Sequence, residues 1–112
     1  MEYLADPEML EQKKGGGALF ILFGGAHCAV CQAIRPRLDE MLEKQFPLMQ
    51  RVYIDCEKSP EICAQHNVFS LPAVQFYIEG MLATEAARSF GLNELAQKME
   101  RPYRMWSEKG TE

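Results

Sequence analysis

Six consecutive apolar residues, Ala18-Leu19-Phe20-Ile21-Leu22-Phe23, end abruptly at Gly24-Gly25. A strand with one face in water alternates apolar and polar side chains, so an unbroken run needs cover on both faces. The run reads as a buried strand and the glycines as its exit turn. Beyond them Ile34, Leu38, Met41, Leu42 and Phe46 recur at three- and four-residue spacings, which predicts a helix over 29–46. Pro36 falls inside that helix and should kink it.

This order places Cys28 at a helix N-terminus, where unpaired backbone N–H groups and the macrodipole favour an anion. A thiolate is such an anion, and it is the form of cysteine that attacks disulfides. Cys31 lies one turn on, on the same face, with Cβ atoms roughly 5–6 Å apart and a bond to Cys28 in reach. One cysteine is activated and the other is placed to resolve it. That is the minimal machinery for thiol–disulfide exchange. The competing reading is a metal site. A zinc ribbon needs a second closely spaced pair, whereas Cys56 and Cys63 stand seven apart; an iron–sulfur cluster shared between subunits is a rarer variant. No metal and no cofactor is expected.

Composition sets the frame for this chemistry. A chain of 112 residues, 47% hydrophobic and 25% charged, is one ordinary domain able to bury a core without staples. Its net charge of −4 argues against nucleic acid or an anionic membrane surface as principal partner. No apolar run approaches a membrane span, and the start, Met1-Glu2-Tyr3-Leu4-Ala5-Asp6, lacks the marks of a secretory signal. Four cysteines without such a signal fit a reducing, cytoplasmic setting and a catalytic use better than a disulfide scaffold.

The rest of the chain alternates helix and strand signals. Asp6-Pro7-Glu8 is a helix cap, with Met9 and Leu10 as the core face and Gly15-Gly16-Gly17 as the stop. Arg51-Val52-Tyr53-Ile54 is a second strand ending at Asp55, and Ser59-Pro60-Glu61 opens a short helix to about His66. Asn67 suits a left-handed position. After Pro72, Val74, Phe76 and Ile78 alternate with Ala73, Gln75 and Tyr77; Glu79-Gly80 turns the chain and Met81 to Arg88 returns. Leu92, Leu95, Ala96 and Met99 mark a last helix that Pro102 should stop, leaving 103–112 as a loose polar tail beyond a domain over 1–102. The expected architecture is α/β: a mixed central sheet flanked by helices on both faces.

The side chains outside the Cys28/Cys31 pair carry two readings each. His27 is either a plain loop residue or, when protonated, an imidazolium that favours the neighbouring thiolate. Cys63 reads first as a small buried thiol and Cys56 as a half-exposed residue at a strand end. A regulatory disulfide between them is the lesser alternative. His66 reads as a packing residue. Trp106 is either a tail residue or a docking anchor.

The Cys-x-x-Cys after the first long strand, Pro36 five residues beyond Cys31, the loop Val68-Phe69-Ser70-Leu71-Pro72 and Gly91 before the last helix stand in one order. In that order the chain, from Met1 to Met99, resembles the thioredoxin family. The resemblance implies a thioredoxin-like fold and a thiol–disulfide oxidoreductase with catalytic Cys28 and Cys31. It further implies a cis-proline at Pro72 facing the cysteines, with His27, Ala29, Val30, Ser70, Leu71 and Pro72 binding substrate, and Pro36, Leu22 and Arg51 modulating the reaction. Departures are plain too. His27 and Ala29-Val30 replace a tryptophan and a Gly-Pro pair. Leu22 stands where relatives carry a buried aspartate thought to move protons for the resolving cysteine, and Arg51 where they carry a facing lysine.

The function expected is reduction or exchange of disulfides in proteins or small thiols, with a reductase as electron donor, by a monomer in the cytoplasm. The alternative is a binding module of the same fold whose dithiol is regulatory or vestigial.

Overall fold

A computed structural model describes residues 1–109, leaving aside the side chain of Lys109. In chain order the elements are β1 (Glu2–Tyr3), α1 (Pro7–Gly15), β2 (Ala18–Gly24), α2 (Ala29–Gln45), β3 (Gln50–Asp55), α3 (Pro60–Gln65), β4 (Ala73–Ile78), β5 (Met81–Ala87) and α4 (Leu92–Lys109). The five strands form one mixed sheet in the order β1-β3-β2-β4-β5. β3 runs parallel to β1 and β2, while β4 is antiparallel to β2 and β5 to β4. The expected α/β architecture with helices on both faces is what forms. The two-residue β1 had no sequence signal, because two residues carry no periodicity.

The apolar run of β2 is buried at every position, and its alternation divides the core. Phe20 and Leu22 face α2 and α4 and pack with Leu38, Leu42 and Met99. Leu19, Ile21 and Phe23 face the other side and pack with Leu10, Ile62 and Cys63. Fully burying each such side chain contributes about 1.5–3 kcal/mol, so this strand anchors both layers. Asp6 caps α1 as expected, accepting the Glu8 and Met9 N–H groups at 2.9 and 3.4 Å. Of the two residues assigned to its core face, Leu10 is buried and Met9 is exposed. Asn67, Glu79 and Gly80 all adopt positive φ, where the turns require it.

The last helix departs from the sequence expectation. It does not stop at Pro102 but runs through it to Lys109. Proline removes one hydrogen bond from a helix interior, and what offsets that loss is aromatic packing on the next turns. Tyr103 meets Phe46 edge-on at 5.0 Å, and its hydroxyl accepts the Leu48 N–H at 3.0 Å. Trp106 stacks obliquely on Tyr103 and donates its indole N–H to Glu79 at 3.0 Å. Leu95, Met99, Tyr103 and Trp106 thus continue one helical face. Most of the segment assigned to a loose tail is helix; positions 110–112 lie outside the described residues.

Candidate active site

Cys28 is the cap of α2. Its backbone is extended (φ −97°, ψ 99°) and its sulfur accepts the Cys31 N–H at 3.2 Å, the bond a serine or aspartate makes at this position. The Cys28 N–H closes a turn onto the Gly25 carbonyl at 3.1 Å, and its own carbonyl accepts the Gln32 N–H at 3.1 Å. Cys28 is half-buried and Cys31 wholly buried. The two are joined as a disulfide with Cα atoms 5.2 Å apart.

Gly24 and Gly25 do more than turn the chain. Gly24 is the last residue of β2, and a Cβ there would stand 2.8 Å from the Tyr53 hydroxyl and 3.0 Å from the Cys31 Cβ. A Cβ on Gly25 would stand 2.5 Å from a Glu57 carboxylate oxygen. The glycines therefore admit two polar groups to the rear and flank of the cysteine pair. Neither group was singled out in the sequence.

Glu57 is the flanking one. One carboxylate oxygen accepts the His27 backbone N–H at 2.9 Å and the other lies 2.6 Å from His27 Nδ1. This hydrogen bond, with the carboxylate charge behind it, raises the His27 pKa above its ordinary value, so more of the imidazole beside Cys28 is cationic. Asp55 holds the loop that delivers Glu57, accepting the Glu57 and Lys58 N–H groups at 2.8 and 3.2 Å. An aspartate at a strand end followed by polar residues is a turn signal of that kind. It could have pointed to Glu57.

Cys56 and Cys63 form a second disulfide, with Cα atoms 5.7 Å apart. The preferred sequence reading, two separate thiols, is corrected on this point. The Asp55 turn sends the chain back at once into α3, and Ser59 N–H bonds the Asp55 carbonyl at 2.8 Å. Cys63 on the first turns of that helix is thereby brought under Cys56. The burial was read correctly: Cys63 is buried and Cys56 half-buried. Among the described residues no group of three or more His, Cys, Asp and Glu is placed to hold a metal ion.

Around the pair, the Leu71–Pro72 peptide is cis. Pro72 and the exposed Val30 line one shallow groove with Ile34 and Phe90. The Pro72 carbonyl accepts the Arg88 N–H at 2.8 Å, and Arg88 donates its Nε–H to the Ser70 hydroxyl at 3.0 Å. Among the described residues the Leu71 N–H and carbonyl take no partner. Ala29 and His27 are exposed. Leu22 is core, paired in register with Tyr53 and Val74, and Pro36 is an exposed residue inside α2. Arg51 does not join the cysteines. Its guanidinium bonds the Asp39 carbonyl at 3.1 Å and approaches the Asp39 carboxylate at 3.5 Å, two turns further along α2 from Cys31. The side chain on its own strand that borders the same space at Gly24 as Cys31 does is Tyr53, two residues or about 6–7 Å along.

Comparison with known proteins places the sequence and the fold. The chain is 31% identical over 87 residues to the thioredoxin-like protein YdfQ of Bacillus subtilis, covering 78% of this chain and 77% of that one. The fold superposes on a mutant thioredoxin of Halobacterium salinarum with a TM-score of 0.79, at 16% identity over 91% of this chain and 88% of that one. Thioredoxin O2 of Arabidopsis thaliana in its oxidised state gives 0.77 at 21% identity over 91% and 93%. A family model described as Thioredoxin matches residues 8–101, and with that match, covering the cap, the Cys-x-x-Cys and the cis-proline, the chain belongs to the thioredoxin family.

Proposed function

We propose that this protein is a thiol–disulfide oxidoreductase that reduces or exchanges disulfides in protein or small-thiol substrates through Cys28 and Cys31. The observation that carries the reading is the Cys28 sulfur capping α2 on the Cys31 N–H, with Cys31 buried beneath it. In the reduced protein the same N–H and the helix dipole favour a thiolate at Cys28. The thiolate attacks a substrate disulfide, forms a mixed disulfide and releases one substrate thiolate. Cys31 then attacks the Cys28 sulfur, and the second substrate thiolate leaves. The product is the Cys28–Cys31 disulfide, which an external reductase returns to the dithiol.

Protonated His27, the form that the Glu57 hydrogen bond and charge favour, adds to the stabilisation of the Cys28 thiolate. The free Leu71 main-chain groups offer an extended substrate segment two hydrogen bonds. The groove between Val30 and Pro72, bordered by Ile34 and Phe90 and by the polar Arg88 and Ser89, takes a neighbouring side chain. A cycle that needs an external reductase to restore the Cys28/Cys31 dithiol fits a reducing compartment such as the cytoplasm.

The test is covalent trapping. Cys31→Ser should accumulate mixed disulfides with substrates, and Cys28→Ser should accumulate few or none. Equal trapping by both overturns the assigned roles. A partner bound without turnover, and held equally by Cys28→Ser, identifies a binding module instead.

A further inference from the structure

A thiol must lose its proton before it attacks a disulfide, and Cys31 is shut off from solvent. An apolar shell disfavours its thiolate. A polar atom of another element, the hydroxyl of Tyr53 on β3, comes near that shell. The Tyr53 hydroxyl and the Cys31 Cβ lie 2.8 and 3.0 Å from the place a Gly24 Cβ would fill, so both border the space that the bare Gly24 leaves. The hydroxyl is held from the other side, where Gln32, next to Cys31 in the chain, gives it an amide N–H at 3.4 Å and bonds the Gly25 carbonyl at 3.1 Å. Because that oxygen accepts from Gln32, its own proton points elsewhere. Among the described residues nothing takes it.

We propose that the Tyr53 hydroxyl donates a hydrogen bond to the Cys31 thiolate and so drives the resolving attack on the mixed disulfide. The inference rests on the oxidoreductase reading and deepens it. The Cys31 proton is lost to solvent by way of the half-buried Cys28 side of the pair. Its sulfur, as thiolate under the Tyr53 hydrogen bond, forms the bond to Cys28, and the bond between Cys28 and the substrate sulfur breaks. The electron pair leaves with the substrate sulfur, which takes a proton from water. Tyr53 keeps its proton throughout, as its environment favours: burial, then the charge of Asp55, pushes the phenol up from its ordinary pKa. The other groups that face it are the Arg35 guanidinium 4.3 Å over the ring, Glu57 from the following loop and the Tyr3 ring at 6.2 Å. Of these Arg35 alone is cationic, and it lies over the ring face.

The experiment uses the protein loaded at Cys28 with thionitrobenzoate, whose release is followed by absorbance. Tyr53→Phe keeps the ring and removes the hydroxyl. Release at pH 7 should slow about tenfold and its pH profile should move up by about one unit, with alkylation of Cys28 in the reduced protein unchanged. Gln32→Leu, on the exposed side of α2, should slow release in the same direction and by less. Release from Tyr53→Phe at the wild-type rate and with the wild-type pH profile overturns the proposal. If Tyr53→Phe does not fold, a wild-type rate in Gln32→Leu overturns it instead. Wild-type protein that never releases thionitrobenzoate overturns the oxidoreductase reading itself, a separate outcome.

Discussion

Glu57 holds His27 at two points, its carboxylate taking the backbone N–H at 2.9 Å and lying 2.6 Å from the ring Nδ1. The imidazole that precedes Cys28 is thereby fixed in place and kept more basic than an ordinary histidine. Glu57→Gln preserves the shape and removes the charge. The His27 pKa should fall towards its ordinary value, which a proton NMR titration reads directly. With less imidazolium beside it, Cys28 in the reduced protein should alkylate more slowly at pH 7, and its alkylation midpoint should move up. An unchanged midpoint would separate His27 from Cys28 activation.

His27 and His66 should bend the stability curve in opposite directions. His27 is raised, so its contribution is full below the ordinary histidine pKa and is lost as pH rises through the folded value. His66 is lowered, chiefly by burial, with Lys14 adding to it. Its ring is buried between Phe23 and Tyr77, with Nδ1 2.8 Å from the Ile62 carbonyl and Nε2 3.2 Å from Lys14. The unfolded chain takes up a proton there before the folded one does. Stability should therefore fall as pH drops below about 6.5. Urea melts across pH 5–8 on His66→Phe and His27→Asn should each flatten one limb.

The Cys56–Cys63 disulfide closes a short loop that contains Glu57. Cys56→Ser with Cys63→Ala should lower stability by about 2 kcal/mol, measured by urea denaturation. Trapping by a Cys31→Ser background should survive the change, because neither residue caps α2. A loss of trapping in the folded double variant would make the second pair part of the reaction.

Beyond Pro102, α4 should behave as core. Tyr103 is buried against Phe46 and bonds Leu48, so Tyr103→Ala should cost about 3 kcal/mol. Trp106 is half-buried, and Trp106→Ala should cost less. Equal and negligible losses in urea melts would return this segment to the status of a tail.

A Cβ at position 24 should be felt twice. Gly24→Ala places a methyl against both the Tyr53 hydroxyl and Cys31. Overpacking of this kind costs about 1–3 kcal/mol, and the displaced hydroxyl should slow thionitrobenzoate release as well. Normal stability together with normal release would mean that the space between Tyr53 and Cys31 is slack.

The amino-acid sequence by itself determined most of the elements and the place of the Cys28/Cys31 pair. Periodicity is local, so the buried run of β2, the face of α2 and the alternation of β4 could be read directly, and Cys28 fell at a helix start by counting. The cis-proline loop was legible because its residues stand in a recognisable order. What only the tertiary structure decided is which distant groups converge on those cysteines. Glu57 reaches His27 across 30 positions because an Asp55 turn and the bare Gly25 leave room for it. Tyr53, and not Arg51, approaches Cys31 because strand register and the bare Gly24 admit one side chain and exclude its neighbour. Cys63 meets Cys56 because α3 folds straight back, and α4 outlasts Pro102 because Tyr103 and Trp106 find Phe46 and Glu79. Each of these is a contact between segments, and its energy depends on where the sheet places both partners, which no window of local sequence contains.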